Sequence, residues 1–286
     1  MSEENVASLV ERVINEYSAG PENSMMKWSE PAWGIPLVGY SNGADPLYQF
    51  YKKDIGDFYL SPLEFISHKY PNKRFDSAKL TVISWILPQT EATKRDQRME
   101  THFPSERWAR SRIFGEDFNN RLKARLVESL NCYGYDSVSP TLSPLWARAM
   151  SKKYAFASNW SERHAAYAAG LGTFGLSDGL ITPVGKAMRA GSVIVDAYIE
   201  PSMRPYSDHH AYCLFYAEGT CGKCIERCPI GAITKQGHNK VVCQKYVNMT
   251  HVYVPSHYGF DGYGCGFCQT GVPCESGIPV ELLKKK

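Results

Sequence analysis

From residue 1 to residue 212 the chain carries a single cysteine, Cys132, although it has nine in all. Disulfide bracing of that long region is therefore excluded. Long apolar runs are lacking too. No window of about 18 apolar residues occurs, so no transmembrane helix and no membrane partner are expected. Charge of one sign is scarce: a net charge of +3 does not by itself imply a nucleic-acid partner, and that question stays open. The opening MSEENVASLVERVINEYSAG has acids where a secretion leader has a basic region. It also lacks a continuous apolar stretch and a twin-arginine pair, so a cytoplasmic protein is expected. Low-complexity sequence is absent apart from the final KKK, and only the cysteines repeat. What remains is a globular composition, with 43% hydrophobic and 21% charged residues, that can build a core.

The apolar periods give the coarse organisation. Val6, Leu9, Val10, Val13, Ile14 and Tyr17 follow the helical repeat. GIPLVGY (34–40) reads as a short buried strand, and ADPLYQFYKK and SPLEFISHKY as short capped helices. AKLTVISWIL (78–87), closed by Pro88, is the strongest strand signal. A helix is expected over 105–130, with Phe118, Leu122, Leu126 and Leu130 as its buried stripe and Arg121, Lys123 and Arg125 on solvated faces. YGYDSVSP (133–140) reads as strand and turn. Residues 160–185 read as a helix ending at Gly170, a glycine-rich turn and a short strand, and 190–200 as a further strand. This alternation indicates an α/β domain over 1–200. After Pro201 apolar runs shorten, and 201–286 reads as a small module stapled by ligands.

CGKCIERCPIGAI (221–233) opens the cysteine constellation of Cys213, Cys221, Cys224, Cys228, Cys243, Cys265, Cys268 and Cys274. In two-cluster ferredoxins the cysteine before the proline ligates the other cluster, and Cys228-Pro229 fits that role. Cys213, Cys221, Cys224 and Cys274 are thus assigned to one 4Fe–4S cluster. Cys228, Cys243, Cys265 and Cys268 are assigned to a second. Position 218 is Glu where a ferredoxin has its first cysteine, so Cys213 stands in from further back. CGFCQTGVPC is two residues longer than C-x2-C-x3-C, which leaves Cys213 and Cys274 the least regular of the set. Zinc is the rival: Cys221/Cys224 with Cys265/Cys268 would suit one site. That reading strands four cysteines and the Cys-Pro. Unliganded thiols are the third alternative. Cys132, in the apolar LNCYGY, reads as a small core residue.

SERHAAYAAGLGTFGLSDGLITPVGKAMRAGSVIV (161–195), followed by CGKCIERCPIGAI, VVCQKYV and YGCGFCQT, resembles the cobalamin-dependent iron–sulfur reductases, which comprise epoxyqueuosine reductase and the reductive dehalogenases. LTVISWILPQT and ARSRIFGEDFNNRLKARL are similar to their early core strand and long helix. The resemblance covers roughly residues 30–275. It implies a nitroreductase-like α/β (α+β) domain that binds cobalamin, a corrinoid, with a C-terminal ferredoxin-like module of two 4Fe–4S clusters feeding electrons to cobalt. On that view Gly170, Gly172, Gly175 and Gly179 let the backbone approach a flat macrocycle, and Thr173, Ser177 and Thr182 bond its amide arms. The alternative is a turn that only joins helix to strand.

Epoxyqueuosine reductases carry an acidic proton donor in a V-D-(S/T)-x-P stretch before the GLG turn. Here the equivalent AFASNWSER (155–163) puts Phe156 at the acid's place, with no Asp or Glu between Lys152 and Ser161. Reductive dehalogenases use a tyrosine near a basic residue, and Tyr154, Tyr167, Arg163 and His164 are the candidates in this stretch. Tyr167 and His164 equally suit a core face beside Ala165, Ala166 and Ala168, and Arg163 equally suits a pair with Glu162 or a helix cap. The chain ends soon after its last cysteine, without the helical-repeat extension of some epoxyqueuosine reductases, and it lacks the Tat signal of exported dehalogenases.

Three functions compete. The first is a corrinoid-dependent reductase acting on a small molecule or modified nucleoside, fed by an external ferredoxin- or flavodoxin-type donor. The second is a non-catalytic electron carrier or cobalamin-binding partner. The third is a ferredoxin-like protein with no corrinoid. The missing acid favours the second and third over epoxyqueuosine reduction, whereas the intact GLG–LITP stretch favours a flat cofactor.

Overall fold

LTVISWIL lacks the polar alternation of a half-exposed strand, and burial on both faces follows from that. In the computed structural model, which describes residues 5–284, it forms β2 (Thr81–Pro88), buried along nearly its whole length. The acids at positions 3 and 4 that entered the leader argument, and the last two lysines, lie outside the described residues. β2 is central in a four-stranded sheet with β1 (Leu37–Asn42), β8 (Met188–Val195) and β3 (Ser137–Val138), in the order β1-β2-β8-β3. Every pairing is antiparallel, which puts the domain on the α+β side of the expected class. β2 begins later than the sequence suggests, because Ser77–Lys79 form a 3-10 turn capped by Asp76. β8 stops at Val195, short of Glu200. Beyond it the Thr81 hydroxyl donates to the Ala197 carbonyl at 2.7 Å and accepts from Ile199 N at 2.9 Å.

Alternate residues of β2 enter different cores. Ile83, Trp85 and Leu87 pack with Val193 and Val195 against α1 (Val6–Ala19) and α5 (Glu106–Cys132). Val82 and Ile86 pack with Ile194 against α2 (Pro46–Ile55), α3 (Pro62–Lys69) and α6 (Glu162–Ala168). Two helical layers thus sandwich the sheet. The helix starts obey simple capping chemistry. Asp45 and Ser61 cap α2 and α3 ahead of proline, and Ser61 with Glu64 forms a reciprocal capping box.

Phe118, Leu122, Leu126 and Leu130 of α5 are all fully buried, as their spacing predicts. Lys123, expected on a solvated face, is instead 2% exposed, with its ammonium 3.3 Å from Glu162 of α6. Glu162 also accepts from Thr141 at 3.0 Å and from Ser192. It therefore serves this buried network and makes no pair with Arg163. Cys132, expected in the core, is exposed. It lies two residues beyond Leu130, off the buried stripe.

Several elements have no clear sequence signal. They are α4 (Glu91–Met99), the hairpin of β4 (Arg148–Ser151) and β5 (Ala155–Ser158), and α9 (Lys240–Tyr258). α9 buries little beyond Tyr246, Thr250 and Val254, so it carries no apolar stripe to read. The glycine-rich turn closes a second hairpin, β6 (Thr173–Phe174) and β7 (Leu180–Ile181). Short helices α7 (Leu214–Glu218) and α8 (Lys223–Glu226) open the cysteine module. Among the described residues no helix is long and apolar enough to cross a membrane.

His164 of α6 is wedged between the rings of Tyr51 and Phe174, each 4.8 Å away, and its Nδ1 meets the Ser161 hydroxyl at 2.8 Å. Burial, helped by the charges of Arg163 and Lys240 and opposed by Asp54 and Asp178, pushes its pKa down to about 3. The imidazole is therefore neutral at physiological pH.

Lys123, which is buried, and His164, which is half-buried, each give a stability prediction. Lys123→Ala strands Glu162 and should cost about 3–5 kcal/mol in urea unfolding, and Lys123→Met combined with Glu162→Gln should recover most of it. His164 holds fewer protons folded than unfolded, so its contribution is complete above pH 6.5 and is lost as pH falls toward 3. Relative to His164→Phe, wild type should lose up to about 1.4 kcal/mol per pH unit across that window. Parallel pH profiles of the two proteins would contradict this account of His164.

Candidate functional site

The cysteine module gathers its thiols into two groups. Cys213 precedes α7, Cys221 and Cys224 surround the start of α8, and Cys274 comes from the loop after residue 270. These four line one small pocket together with Leu176, Ile181 and Lys186. The second group is Cys228, which follows α8, Cys243 in the first turn of α9, and Cys265 and Cys268. The Cys265 thiol lies within electrostatic reach of Cys268, Cys243 and Cys228, and Cys243 within reach of Cys268 and Cys228. Cys228 Sγ accepts from Ala232 N at 3.2 Å. The groups adjoin where Cys224 and Cys268 sense one another, with the Lys186 ammonium beside both.

Burial pushes the Cys224 thiol up to about 12 and Cys243 up to about 11, with neighbouring sulfurs adding to the rise. Burial raises Cys265, Cys268 and Cys274 as well. These thiols keep their protons until a cation displaces them. Among the described residues, no three His, Cys, Asp or Glu side chains converge as a single-ion site requires. The two C-x2-C pairs of the zinc alternative fall in different groups. Two adjoining sets of four sulfur donors match the donor chemistry of iron–sulfur clusters. Cys132, at the end of α5, belongs to neither set.

The glycine-rich turn packs closely on the protein's own backbone and side chains. A Cβ on Gly170 (φ +77°) would fall 2.5 Å from the Met203 carbonyl oxygen, and one on Gly172 would fall 2.3 Å from that of Ile181. At Gly179 and Gly175 the space is taken by the side chains of Lys186 and Ile181, at 2.8 and 3.1 Å. Close approach does require these glycines, but the approaching atoms are the protein's own. The hydroxyls are committed too. Thr173 accepts from Tyr212 N at 2.8 Å, Thr182 donates to the Gly185 carbonyl at 2.7 Å, and Ser177 meets Lys186 Nζ at 3.2 Å. Leu176 and Ile181 enter the core of the cysteine module with Tyr212, Ile233 and Val272. The turn docks on the cysteine module, and each of the three hydroxyls has a partner within the protein.

The expected proton donors are dispersed. Tyr167 stacks on Tyr206 at 5.2 Å and lies against Phe174. Tyr154, in the β4–β5 turn, donates to Asp54 at 2.7 Å, and Lys153 reaches the other oxygen of that carboxylate at 2.6 Å. Lys240 of α9 lies over the Tyr154 ring at 5.4 Å and donates to the Phe156 carbonyl at 3.3 Å. Burial tends to raise the Asp54 pKa, but the bonds from Lys153 and Tyr154 outweigh it and the carboxyl stays ionised. Burial raises both phenols and outweighs the lowering by Lys153 at Tyr154 and by Arg204 at Tyr167. Neutral His164 cannot supply that charge. Arg163 donates to the Asp178 carbonyl at 2.5 Å, and the Asp178 carboxylate meets His238 at 3.1 Å. Ala155 and Asp178, at φ of 54° and 57°, hold left-handed backbone on either side of this surface.

Asp54, Lys240 and His238 have no motif in the sequence, and Asp178 lies within the glycine-rich stretch without a motif role of its own. Asp54 meets Tyr154 across a separation of 100 residues, bridged only by the fold.

No protein-family model matches the chain. Over 124 residues it is 32% identical to an epoxyqueuosine reductase of Bacillus anthracis, a match covering 41% of this chain and 30% of the relative. Over 223 residues it is 27% identical to the epoxyqueuosine reductase of Bacillus subtilis, covering 72% of this chain and 53% of the relative. The chain thus spans between 30% and 53% of the length of these relatives. A solved catabolic reductive dehalogenase shares the fold with a TM-score of 0.50 at 17% identity, over 87% of this chain and 31% of that one. The chain is thus similar in sequence to part of the epoxyqueuosine reductases and shares its fold with a reductive dehalogenase.

Proposed function

We propose that the chain is an iron–sulfur oxidoreductase. In this reading Cys213, Cys221, Cys224 and Cys274 hold one 4Fe–4S cluster, and Cys228, Cys243, Cys265 and Cys268 hold a second. The observation that carries it is the sorting of eight cysteines into two adjoining groups of four. Such clusters, when bound, relay single electrons. An external ferredoxin- or flavodoxin-type protein supplies the electrons. The acceptor is a small reducible molecule or a modified nucleoside, a class suggested by the relatives' names.

The acceptor's place is the surface beside the β4–β5 turn. Tyr154 stays protonated at neutral pH and is oriented by Asp54, so it can hand its proton to a basic site formed by reduction. Lys153 and Lys240 then stand near the phenolate. The acid of the epoxyqueuosine reductases has no counterpart in 153–161, so little or no activity on epoxyqueuosine tRNA is expected. A second reading is an electron carrier that performs no chemistry of its own. It is favoured by the closure of the glycine-rich turn on the cysteine module, which leaves the corrinoid supported by kinship alone.

Anaerobic reconstitution should load about eight irons per chain. Cys265→Ala should lose about half of them and Cys132→Ala none. Stoichiometric zinc in place of iron overturns the cluster reading. Added cobalamin separates the two functions: a tight complex with an altered cobalt spectrum supports a corrinoid reductase, and no binding at micromolar concentrations supports the carrier. For any substrate the loaded protein reduces, Tyr154→Phe should lower kcat by about 10²-fold or more, while Tyr167→Phe leaves it unchanged. Equal turnover in wild type and Tyr154→Phe removes Tyr154 as the donor.

A further inference from the structure

Lys186 is 3% exposed, and its ammonium points into the pocket that Cys213, Cys221, Cys224 and Cys274 line. Its polar contacts are the Ser177 hydroxyl at 3.2 Å and the Cys274 thiol. The groups whose charge bears on it are the sulfurs of Cys274, Cys268 and Cys224, which come from both cysteine groups. Among the described residues no carboxylate pairs with it. A buried ammonium without an anion costs several kcal/mol, and a hydroxyl with neutral thiols does not balance it. The missing negative charge has an obvious source if the thiols become metal-bound thiolates.

The side chain is fixed at both ends. Gly185 takes φ of +94°, where a Cβ would fall 2.0 Å from the Glu275 carbonyl oxygen. This contact lets Lys186 N donate to the Cys274 and Glu275 carbonyls at 2.8 and 3.1 Å, and Ala187 N to Glu275 at 3.1 Å. The methylenes of Lys186 cover Gly179. The ammonium is therefore held in place by the same backbone pairing that presents Cys274.

We propose that Lys186 is a positioning cation shared by the two cysteine groups, balancing the negative charge of the clusters they hold and favouring their reduced state. The proposal rests on the iron–sulfur reading. Each cluster with its four thiolates is net negative and gains one more negative charge on reduction, so a fixed cation nearby stabilises the reduced form. Because the ammonium adjoins sulfurs of both groups, both potentials depend on it.

The test compares wild type, Lys186→Gln and Lys186→Arg after anaerobic reconstitution, by iron and sulfide content and by redox titration followed by electron paramagnetic resonance. Gln keeps hydrogen-bonding capacity and removes the charge, whereas Arg keeps the charge. Lys186→Gln should load as wild type and show both potentials lowered by at least a tenfold shift in the one-electron equilibrium, about 59 mV. Lys186→Arg should restore them. Loaded Lys186→Gln with wild-type potentials overturns the proposal and leaves the clusters standing. Should Gln load no iron, loading of Arg to the wild-type level supports the charge role, and failure of Arg overturns it. A wild-type chain that takes up no iron overturns the cluster reading and this proposal with it.

Discussion

The cysteine module depends on a close backbone contact, that of Gly185 and Lys186 against Cys274 and Glu275. Residues 201–286 bury few apolar side chains of their own, and a module of that size needs staples. Part of the core around the cysteines is lent by Leu176 and Ile181 of the glycine-rich hairpin. The rest of the attachment is polar. Arg98 of α4 pairs with the buried Glu275 at 2.5 Å, Lys94 reaches Ser276 at 2.7 Å, and Gln97 donates to the Cys265 carbonyl at 2.9 Å. Arg227 returns the contact by donating to the carbonyls of Gln97 and Glu100, at 3.1 and 3.0 Å. A helix with no sequence signal is thus the bracket that aligns the cysteine loops with the sheet domain.

That bracket shows where the sequence was informative. β2 and the stripe of α5 were legible because burial leaves a period, and the capped starts of α2 and α3 because an orphan N–H needs an acceptor. That the late cysteines gather in one region was legible because spacing and Cys-Pro constrain which sulfurs share a loop. α4 and α9 were not legible, since their contacts are made by Arg98, Gln97, Lys94 and Lys240, residue types that usually mark solvent. Lys123 misled for the same reason: only the fold brings Glu162 to it. The glycine-rich turn was legible only as a place of close approach. Glycine reports that something approaches the backbone, and not whether that something is a cofactor or another strand of the same chain.

The surface around Tyr154 combines two features that a purely structural patch rarely needs. It holds left-handed backbone at Ala155 and Asp178, and it brings Asp54, Lys153, Arg163, Asp178, His238 and Lys240 together from distant parts of the sequence. Neutral His164 lies behind it as packing. Acidic and basic groups thus alternate across a surface next to the second cysteine group, whose Cys243 lies three residues beyond Lys240 in α9.

The chain also couples its two cysteine groups covalently. Cys224 and Cys228 are separated by a single turn, and Pro229 directs the chain away so that their sulfurs serve different groups. On the proposed iron–sulfur reading, proximity of this kind favours electron passage but carries an electrostatic penalty, because a negative charge added to one group repels a charge on the other. In a buried setting the repulsion is poorly screened by salt. A mobile surface lysine would not offset it well, since the ordering of a flexible side chain opposes its attraction. Lys186 avoids both difficulties by being buried, anchored through Gly185 and adjacent to both groups. On that reading, close spacing of two negative centres and a fixed cation beside them are parts of one arrangement, and the close approach at Gly185 is the backbone feature that makes it possible.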